Sequence, residues 1–258
     1  MILNNLIEDL INMNLSKTDT VFIHSSCKKI GYDANDIIDT LMEYFKKGLL
    51  LLPAHTWATI NENNPIFDPI NTPSCVGIIP NLFMKRKNVY RSLHPTHSIL
   101  AYGNDAIEFI KNEEYNTTPA TPHGVYDRLR EKNAKILLVG VGNERNTFIH
   151  GVEEVLNIPN RLSAKPMHLY IKKDGIILDS YMRKHYNPIE PHISMRFPKL
   201  DKAFYTLGAM KKYKFGNADT LVCDSNMIFN ITRHILKKEP EIIINGEITD
   251  DLWLDYKM

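Results

Sequence analysis

Short runs of apolar residues alternate along this chain with segments in which apolar residues recur every three or four positions. The runs predict buried strands at Thr20–Ser25, Gly48–His55, Ser98–Gly103 and Lys135–Val141. Helical spacing is found at residues 2–14, Asp33–Lys47, Gly77–Lys87, from Asp105 onward, at Val125–Glu131 and at Ser225–Lys237. This alternation predicts an α/β fold, a layered α/β/α arrangement with a largely parallel central sheet.

The C-terminal half departs from this pattern between residues 163 and 215. Its apolar runs are shorter, and Asp174-Gly175 divides a segment that predicts a hairpin over Met167–Tyr181. We therefore expect one domain over residues 1–258, with a small β-rich insertion within 163–215. Residues 57–75, rich in Asn and Pro, predict a long loop.

The composition excludes several classes of function but does not identify one. The chain has 258 residues, 43% of them hydrophobic, which suffices for a sizeable core. Its 31 basic and 30 acidic residues give a net charge of +1 and no general attraction to nucleic acid. No apolar run is long enough for a membrane helix, and the acidic, amphipathic N-terminus is unlike a signal peptide. Cys27, Cys75 and Cys223 fit neither a disulfide framework nor a zinc spacing, which predicts reduced thiols and a cytoplasmic location.

Polar residues follow three of the predicted strands. They are His24-Ser25-Ser26, His55-Thr56 and Asn143–Thr147. Ligands bind at the carboxyl ends of strands in open α/β sheets, so we expect these clusters to meet at one site. A fourth cluster, His94–Ser98, precedes its strand and is predicted to fold over that site.

The fourth strand leads through a Gly-rich turn into Asn146-Thr-x-x-His150-x-x-Glu153. Asn146 or Thr147 suits a helix N-cap. Because His150 and Glu153 are three residues apart, they lie on one face of the predicted helix and can touch. The array predicts an imidazole oriented by a carboxylate, which is the minimum needed to take a proton from a nucleophile.

Other motifs give weaker signals. The loop from Ser25 to Gly31 has hydroxyls and two lysines that suit an anion, although an ordinary strand–helix connection with solvated lysines has the same composition. Gly140-x-Gly142 lacks the third glycine of a dinucleotide fingerprint because Arg145 stands there, so no nicotinamide cofactor is expected. The ten histidines show no zinc-site spacing, and no metal is expected.

Taken together, the motifs resemble those of the aminoglycoside 3-N-acetyltransferases, whose antibiotic N-acetyltransferase fold is unrelated to the common GNAT acetyltransferases. The resemblance extends over most of the chain in the family order. It rests on His24-Ser-Ser-x-Lys-x-Ile-Gly31, Leu52-Pro53, Phe67-Asp-Pro-x-Asn-Thr-Pro-Ser-x-Val-Gly77, Arg91-Ser-Leu-His-Pro-Thr-His-Ser98, Gly103, Ala106, Thr121-Pro-x-Gly124, the array from Asn146 to Glu153, and Gly216-Asn-Ala218.

The resemblance implies that acetyl-CoA is the donor and an aminoglycoside the acceptor, at the 3-amino group of deoxystreptamine. It implies direct transfer without an acetyl-enzyme, with His150 as general base, Glu153 as its orienting carboxylate and Thr147 beside the thioester. The residues implied to line the CoA site are Ser25, Ser26, Cys27, Lys28, His97, Ser98 and Ile99.

The acceptor is harder to assign. A polycationic drug calls for an acidic pocket, yet the chain is nearly neutral and its acidic residues are scattered. We expect acceptor contacts from Trp57, Asp68 and Glu190 and from the stretch 181–201. Trp57 could equally pack in the core, and Asp68 could be structural.

Three other functions stay open. The enzyme could acetylate a non-antibiotic amine, such as a metabolite. It could be a hydrolase that uses a metal or Cys27, or a CoA-binding protein without catalysis, although a binding module needs no base such as His150. The expected partners are an amine and CoA, neither nucleic acid nor a membrane, and a homodimer is left open.

Overall fold

A computed structural model describes residues 2–256, with side chains described from residue 5 onward. The ten strands are β1 (Thr20–Ser25), β2 (Leu49–Pro53), β3 (Ile66–Phe67), β4 (Tyr90–Arg91), β5 (Ile99–Gly103), β6 (Lys135–Val139), β7 (Met167–Lys173), β8 (Ile176–Met182), β9 (Met210–Phe215) and β10 (Ala218–Asp224). The α-helices are α1 (Ile2–Asn12), α2 (Cys27–Ile30), α3 (Ala34–Tyr44), α4 (Ile78–Phe83), α5 (Ala106–Phe109), α6 (Val125–Glu131), α7 (Thr147–Val155), α8 (Asp201–Thr206), α9 (Ser225–Lys238) and α10 (Ile242–Asn245). Short 3₁₀ segments include Asn143–Arg145 and Ile193–Leu200.

Seven strands form the central sheet, in the order β4-β5-β2-β1-β6-β10-β9. Two of its six pairings are parallel, those of β1 with β2 and with β6, and the other four are antiparallel. The prediction of a largely parallel sheet is therefore wrong. An apolar run indicates that a strand is buried but not the direction in which it runs. β9 and β10, for example, form an antiparallel hairpin closed by Gly216 and Asn217.

The layered α/β/α arrangement is confirmed by where the strand residues pack. Alternate residues of β1 face opposite sides of the sheet, as the two-residue period of a strand requires. Phe22 joins a buried cluster that includes residues of α6, α7 and α9, while Val21 and Ile23 join a second cluster that includes residues of α1, α3 and α4. The sheet thus separates two helical layers.

The predicted hairpin is formed by β7 and β8, which pair from Met167↔Met182 to Lys173↔Ile176. The third strand of this small sheet is β3, from the loop predicted over 57–75, and it runs parallel to β7. A small cluster of Ile60, Phe67, Leu169, Ile171 and Met182 holds the sheet together. β9, although it lies within 163–215, belongs to the central sheet.

Within the described residues, no helix has the length and apolar character needed to cross a membrane.

Candidate active site

The polar ends of β1, β2 and β6 meet at one edge of the sheet, as predicted. The three strands are neighbours and run in the same direction, so their carboxyl ends coincide. His24 ends up 6% exposed and His55 5% exposed. The cluster before β5 reaches the same place, since the rings of His55 and His97 have their centroids 4.7 Å apart.

His150 and Glu153 form the predicted pair. His150 Nδ1 lies 3.1 Å from Glu153 Oε2, in the interior of the protein. An ionised carboxylate only accepts hydrogen bonds, so Nδ1 carries the proton and donates to Glu153. The other nitrogen, Nε2, is left as the acceptor for a proton from a ligand.

A third residue anchors this pair. Arg161 Nε donates to Glu153 Oε1 at 2.6 Å, and Arg161 Nη1 lies 3.3 Å from Glu241 Oε2. Burial alone raises the pKa of the Glu153 carboxyl, but the hydrogen bond and charge of His150 and the nearby Arg161 hold that pKa below its ordinary value. Glu153 therefore stays ionised and keeps the tautomer of His150 fixed.

Burial sets the protonation state of His150. It is the main reason that the pKa of His150 falls to about 4, and the nearby His185 lowers it further. Glu153 and Glu154 act in the opposite direction without reversing the shift. The imidazole is consequently neutral at pH 7 and able to accept a proton.

The helix that carries these residues begins as predicted, but its cap differs. Asn146 occupies the N-cap position, yet its side chain makes no capping hydrogen bond. Instead Asn146 Nδ2 donates to Asn143 Oδ1, and Asn143 Nδ2 donates to Asp201 Oδ1. Thr147 is the first residue of α7 and is 9% exposed. His150 thus lies in the first turn, where the helix dipole disfavours an imidazolium.

Sequence reasoning missed a second imidazole at this site. His185 Nε2 lies 2.6 Å from Glu154 Oε1, and the ring of His185 stacks on that of His150 with centroids 3.8 Å apart. His185 follows β8 in the stretch 181–201, so that stretch does reach the site. The adjacent Glu153-Glu154 was the available signal, but 31 residues separate Glu154 from His185, and no spacing rule covers such a distance.

The loop after β1 lies at the same edge of the sheet. Ser25, Ser26 and Cys27 are partly exposed, and Lys28 is exposed. Gly31 closes the loop with φ +77, and a Cβ there would lie 2.4 Å from Asn217 Nδ2. The Gly216-Asn-Ala218 turn therefore packs directly against this loop, and Asn217 N donates to Ile30 O at 3.0 Å.

His97, Ser98 and Ile99 differ in accessibility. His97 is partly buried, and desolvation together with the surrounding imidazoles lowers its pKa well below the ordinary value. The hydroxyl of Ser98 donates to Ala54 O at 2.8 Å and accepts from Arg91 Nε. Ile99 is 1% exposed in the core. Of the three side chains, His97 alone is open to a ligand in this conformation.

None of the three predicted acceptor residues, Trp57, Asp68 and Glu190, forms a hydrogen bond or ion pair with His150 within the described part of the chain. Trp57 is 52% exposed, which excludes a place in the core. Asp68 bonds to Asn71 and to backbone of its own loop, and these bonds lower its pKa to about 2. Glu190 accepts from Arg196 Nε at 2.7 Å.

Two other features do not involve His24, His55, His97, His150 or His185. A cavity of about 940 Å³ lies between the β4–β5 edge and the tip of the β7–β8 hairpin, and Asp68 lines it, whereas none of the other residues predicted for the site does. Within the described chain, one group of three side chains has the spacing of a metal site: His123, Asp127 and Glu131. Asp127 in that group is already paired with Arg130 at 2.6 Å.

Comparison with known proteins gives a consistent result. A family model described as aminoglycoside 3-N-acetyltransferase matches residues 22–237. Aminoglycoside N(3)-acetyltransferase IV from Salmonella sp. is 25% identical over 248 residues, covering 93% of this chain and 89% of that protein. The SPbeta prophage-derived aminoglycoside N(3')-acetyltransferase-like protein YokD of Bacillus subtilis (strain 168) is 25% identical over 240 residues, covering 82% and 84%.

Solved structures show the same fold. A histidine-to-alanine mutant of aminoglycoside acetyltransferase AAC(3)-IVa in complex with a gentamicin superposes with a TM-score of 0.81 at 24% identity, covering 94% of this chain and 91% of that one. AAC-IIIb in a binary complex with CoASH gives 0.79 at 19% identity, covering 92% and 96%.

Proposed function

Since the chain belongs to the aminoglycoside 3-N-acetyltransferase family, we propose that it transfers an acetyl group from acetyl-CoA to the 3-amino group of a deoxystreptamine aminoglycoside, with His150 as general base. A structural neighbour with bound CoASH and another with a bound gentamicin support this choice of donor and acceptor.

One observation carries the proposal: the buried His150–Glu153 pair at the edge where three strands end. An ammonium group is not a nucleophile until it loses a proton, so the reaction needs a base. His150 is neutral at pH 7, has its tautomer fixed by Glu153, and leaves Nε2 free.

In the proposed reaction, the amine nitrogen forms a bond to the carbonyl carbon of the thioester as His150 Nε2 takes the proton. The carbon–sulfur bond breaks and its electron pair leaves with sulfur. His150 returns its proton to the thiolate, and the products are the amide and the free thiol. Thr147, the first residue of α7, would stabilise the departing sulfur by donating a hydrogen bond to it, while the hydroxyl keeps its proton.

The loop of Ser25, Ser26, Cys27 and Lys28 has the chemical groups needed to bind the phosphates of acetyl-CoA. Its hydroxyls and backbone N–H groups suit phosphate oxygens, and neither Lys28 nor Lys29 forms an ion pair with any described residue. Both lysines are exposed and supply the positive charge that CoA phosphates require. His97 would close the site from the strand-entry loop.

The charge of the site favours a second acceptor class, an amine with fewer positive charges than an aminoglycoside. Glu154 is paired with His185, and Glu190 with Arg196. The residues just before His185 are Arg183 and Lys184, which repel a polycation.

Release of free thiol from acetyl-CoA tests the proposal, with aminoglycosides and simple monoamines as acceptors. We expect His150→Ala to lower kcat by about 10²- to 10⁴-fold, the usual contribution of a general base. His234→Ala is the matched control, because His234 is also paired with a carboxylate, Asp255, but lies on α9. Near-full turnover by His150→Ala would refute the assignment of the base. Release only with monoamines would replace the drug with the second acceptor class.

A further inference from the structure

Two imidazole–carboxylate pairs lie side by side at this site. Consecutive residues of α7, Glu153 and Glu154, each hold one histidine: Glu153 holds His150 at 3.1 Å and Glu154 holds His185 at 2.6 Å. The first pair takes part in the proposed proton transfer. The second pair, His185 with Glu154, has no role in that proton transfer.

The two rings are stacked. The centroids of His150 and His185 are 3.8 Å apart and the planes are inclined by 22°. Phe197, from the 3₁₀ segment after β8, approaches the ring of His150 edge-on at 4.7 Å and 66°. The imidazole of His150 is therefore confined by a face contact, an edge contact and one hydrogen bond to Glu153.

Glu154 is itself firmly placed. Its Oε1 accepts from Ala120 N at 2.9 Å as well as from His185, and its Oε2 has no hydrogen-bond partner among the described residues. Burial alone raises the pKa of Glu154, but the bond to His185 holds it below its ordinary value. His185 is the one basic side chain paired with this buried carboxylate in the described chain.

Other ionisable groups surround the two rings. His150 faces Glu153 and Glu154 of its own helix, with Arg161 behind Glu153. The neighbouring imidazoles are His55 after β2 and His94 and His97 before β5, and the ring of His97 lies 5.8 Å from that of His185.

We propose that His185, anchored by Glu154, is a positioning residue that fixes the ring of His150 so that Nε2 points at the acceptor amine. This inference rests on the proposed role of His150 as the base. Glu153 alone is one hydrogen bond, about which the imidazole can still tilt. A face-to-face partner removes that freedom, and proton transfer is sensitive to such small misplacements.

A second imidazole–carboxylate pair, remote from His150, provides a control for the position of His185. His168 Nε2 lies 2.6 Å from Asp179 Oδ1, and its ring stacks on Tyr181 at 4.5 Å and 12°. This pair is exposed on the β7–β8 hairpin. It has the chemistry of the His185–Glu154 pair without contact with His150, so His168→Gln serves as the control.

Two substitutions separate the ring of His185 from its hydrogen bond. His185→Gln keeps a donor for Glu154 and loses the stacked ring, whereas His185→Phe keeps the ring and loses the donor. We expect His185→Gln to lower kcat by about tenfold and His185→Phe by less than about threefold. The KM for acetyl-CoA stays within about twofold of the wild-type value in both, and His168→Gln is unchanged. Wild-type kcat in His185→Gln would overturn the proposal. So would a loss expressed only in the KM for the amine, because His185 would then contact the acceptor.

A spectroscopic measurement decides the same question without turnover. Nitrogen NMR of ¹⁵N-histidine-labelled protein at pH 7.5 reports which ring nitrogen of His150 carries the proton, with His150→Ala identifying the signal. We expect one sharp Nδ1–H signal in the wild type and in His185→Phe, and exchange broadening of that signal in His185→Gln, because the ring then moves about its hydrogen bond to Glu153. An unchanged His150 signal in His185→Gln would overturn the positioning role. If no amine were acetylated, the proposed function would fail, and this signal would still test whether His185 orders the ring.

Discussion

His150 depends on a series of partners that ends at Arg161. Glu153 can orient the imidazole only while it stays ionised in the interior, and Arg161 supplies the compensating charge at 2.6 Å. Arg161 is itself 2% exposed, so this pair is a buried salt bridge. Breaking such a pair leaves an uncompensated charge, which costs more than the pair contributes.

Substitution of Glu153 tests this series. In Glu153→Gln the side chain keeps its size, but its amide can donate to His150 Nδ1 and so favour the tautomer with the proton on Nε2. We expect kcat for acetyl transfer to fall by about hundredfold or more, as when the orienting acid of a catalytic histidine is made neutral. Glu43→Gln, an exposed surface carboxylate paired with Lys46, is the control. Steady-state kinetics at pH 7.5 measures both, and activity close to wild type in Glu153→Gln would contradict the orienting role.

The sequence predicted the part of the site that is local in the chain. The spacing of His150 and Glu153 indicates contact because one helical turn joins them. His185 and Arg161 carry no comparable signal, since their partners lie on other elements. Trp57, which is exposed, and Asp68, whose carboxylate bonds within its own loop, illustrate the same point. The sequence identifies a candidate residue, but its contacts depend on the fold.

At the scale of elements, helices α7 and α9 differ in whether a side chain caps the N-terminus. Asp224 is the N-cap of α9, and its carboxylate accepts from Met227 N at 3.0 Å and lies 2.7 Å from Lys135 Nζ. α7 has no such capping bond, and its first turn is held by neighbours instead. The cap of α9 therefore stabilises the helical layer on which α7 packs.

We expect Asp224→Ala to lower the free energy of unfolding by about 1 to 2 kcal/mol, the usual loss for an N-cap. Asp224→Asn keeps the cap acceptor and removes only the half-exposed ion pair with Lys135, so its loss should be below about 1 kcal/mol. Urea unfolding followed by circular dichroism measures both. Equal losses in the two variants would show that the ion pair, rather than the cap, holds this end of the helix.

Strand direction marks the limit of prediction for elements. The apolar runs of β1, β2, β5 and β6 were recognisable, and the Asp174-Gly175 turn identified the β7–β8 hairpin. β3, β4 and β9 were missed. β3 and β4 have two residues each, and β9 mixes its apolar residues with exposed lysines, so none of the three forms an apolar run. Whether strands lie parallel depends on connections that no local pattern describes.

At the scale of the whole molecule, the site concentrates buried histidines between the strand ends and α7. Burial is the first cause that lowers the pKa of five of them, His24, His55, His94, His97 and His150, to about 3 for His24 and about 4 for His94 and His150. The unfolded chain holds them near the ordinary histidine pKa of about 6.5. Their contribution to stability is therefore fully present above that pH and is lost as the pH falls toward the folded values.

Because the pKa values of these histidines are lowered in the folded state, the free energy of unfolding should fall on acidification well above the pH range in which most carboxylates titrate. Five such histidines lose about 4 kcal/mol together between pH 8 and pH 6. Glu113 acts in the opposite sense, because burial raises its pKa to about 7. It takes up a proton in the folded state and offsets about 1 kcal/mol. The free energy of unfolding should thus fall by about 3 kcal/mol, a large share of the roughly 5 to 15 kcal/mol of an ordinary domain.

Urea unfolding at pH 8 and pH 6 measures this difference directly. His24→Phe removes one of the five titrating rings, whose Nε2 has no hydrogen-bond partner among the described residues and which packs in a T-shaped contact with Phe22. We expect that variant to reduce the pH dependence by somewhat less than about 1 kcal/mol, one ring's share of the histidine contribution. His168→Phe, which replaces an exposed histidine, should leave it unchanged. Equal unfolding free energies at the two pH values would mean that the histidines are not held neutral by burial, and the basis for a neutral His150 would fall with them.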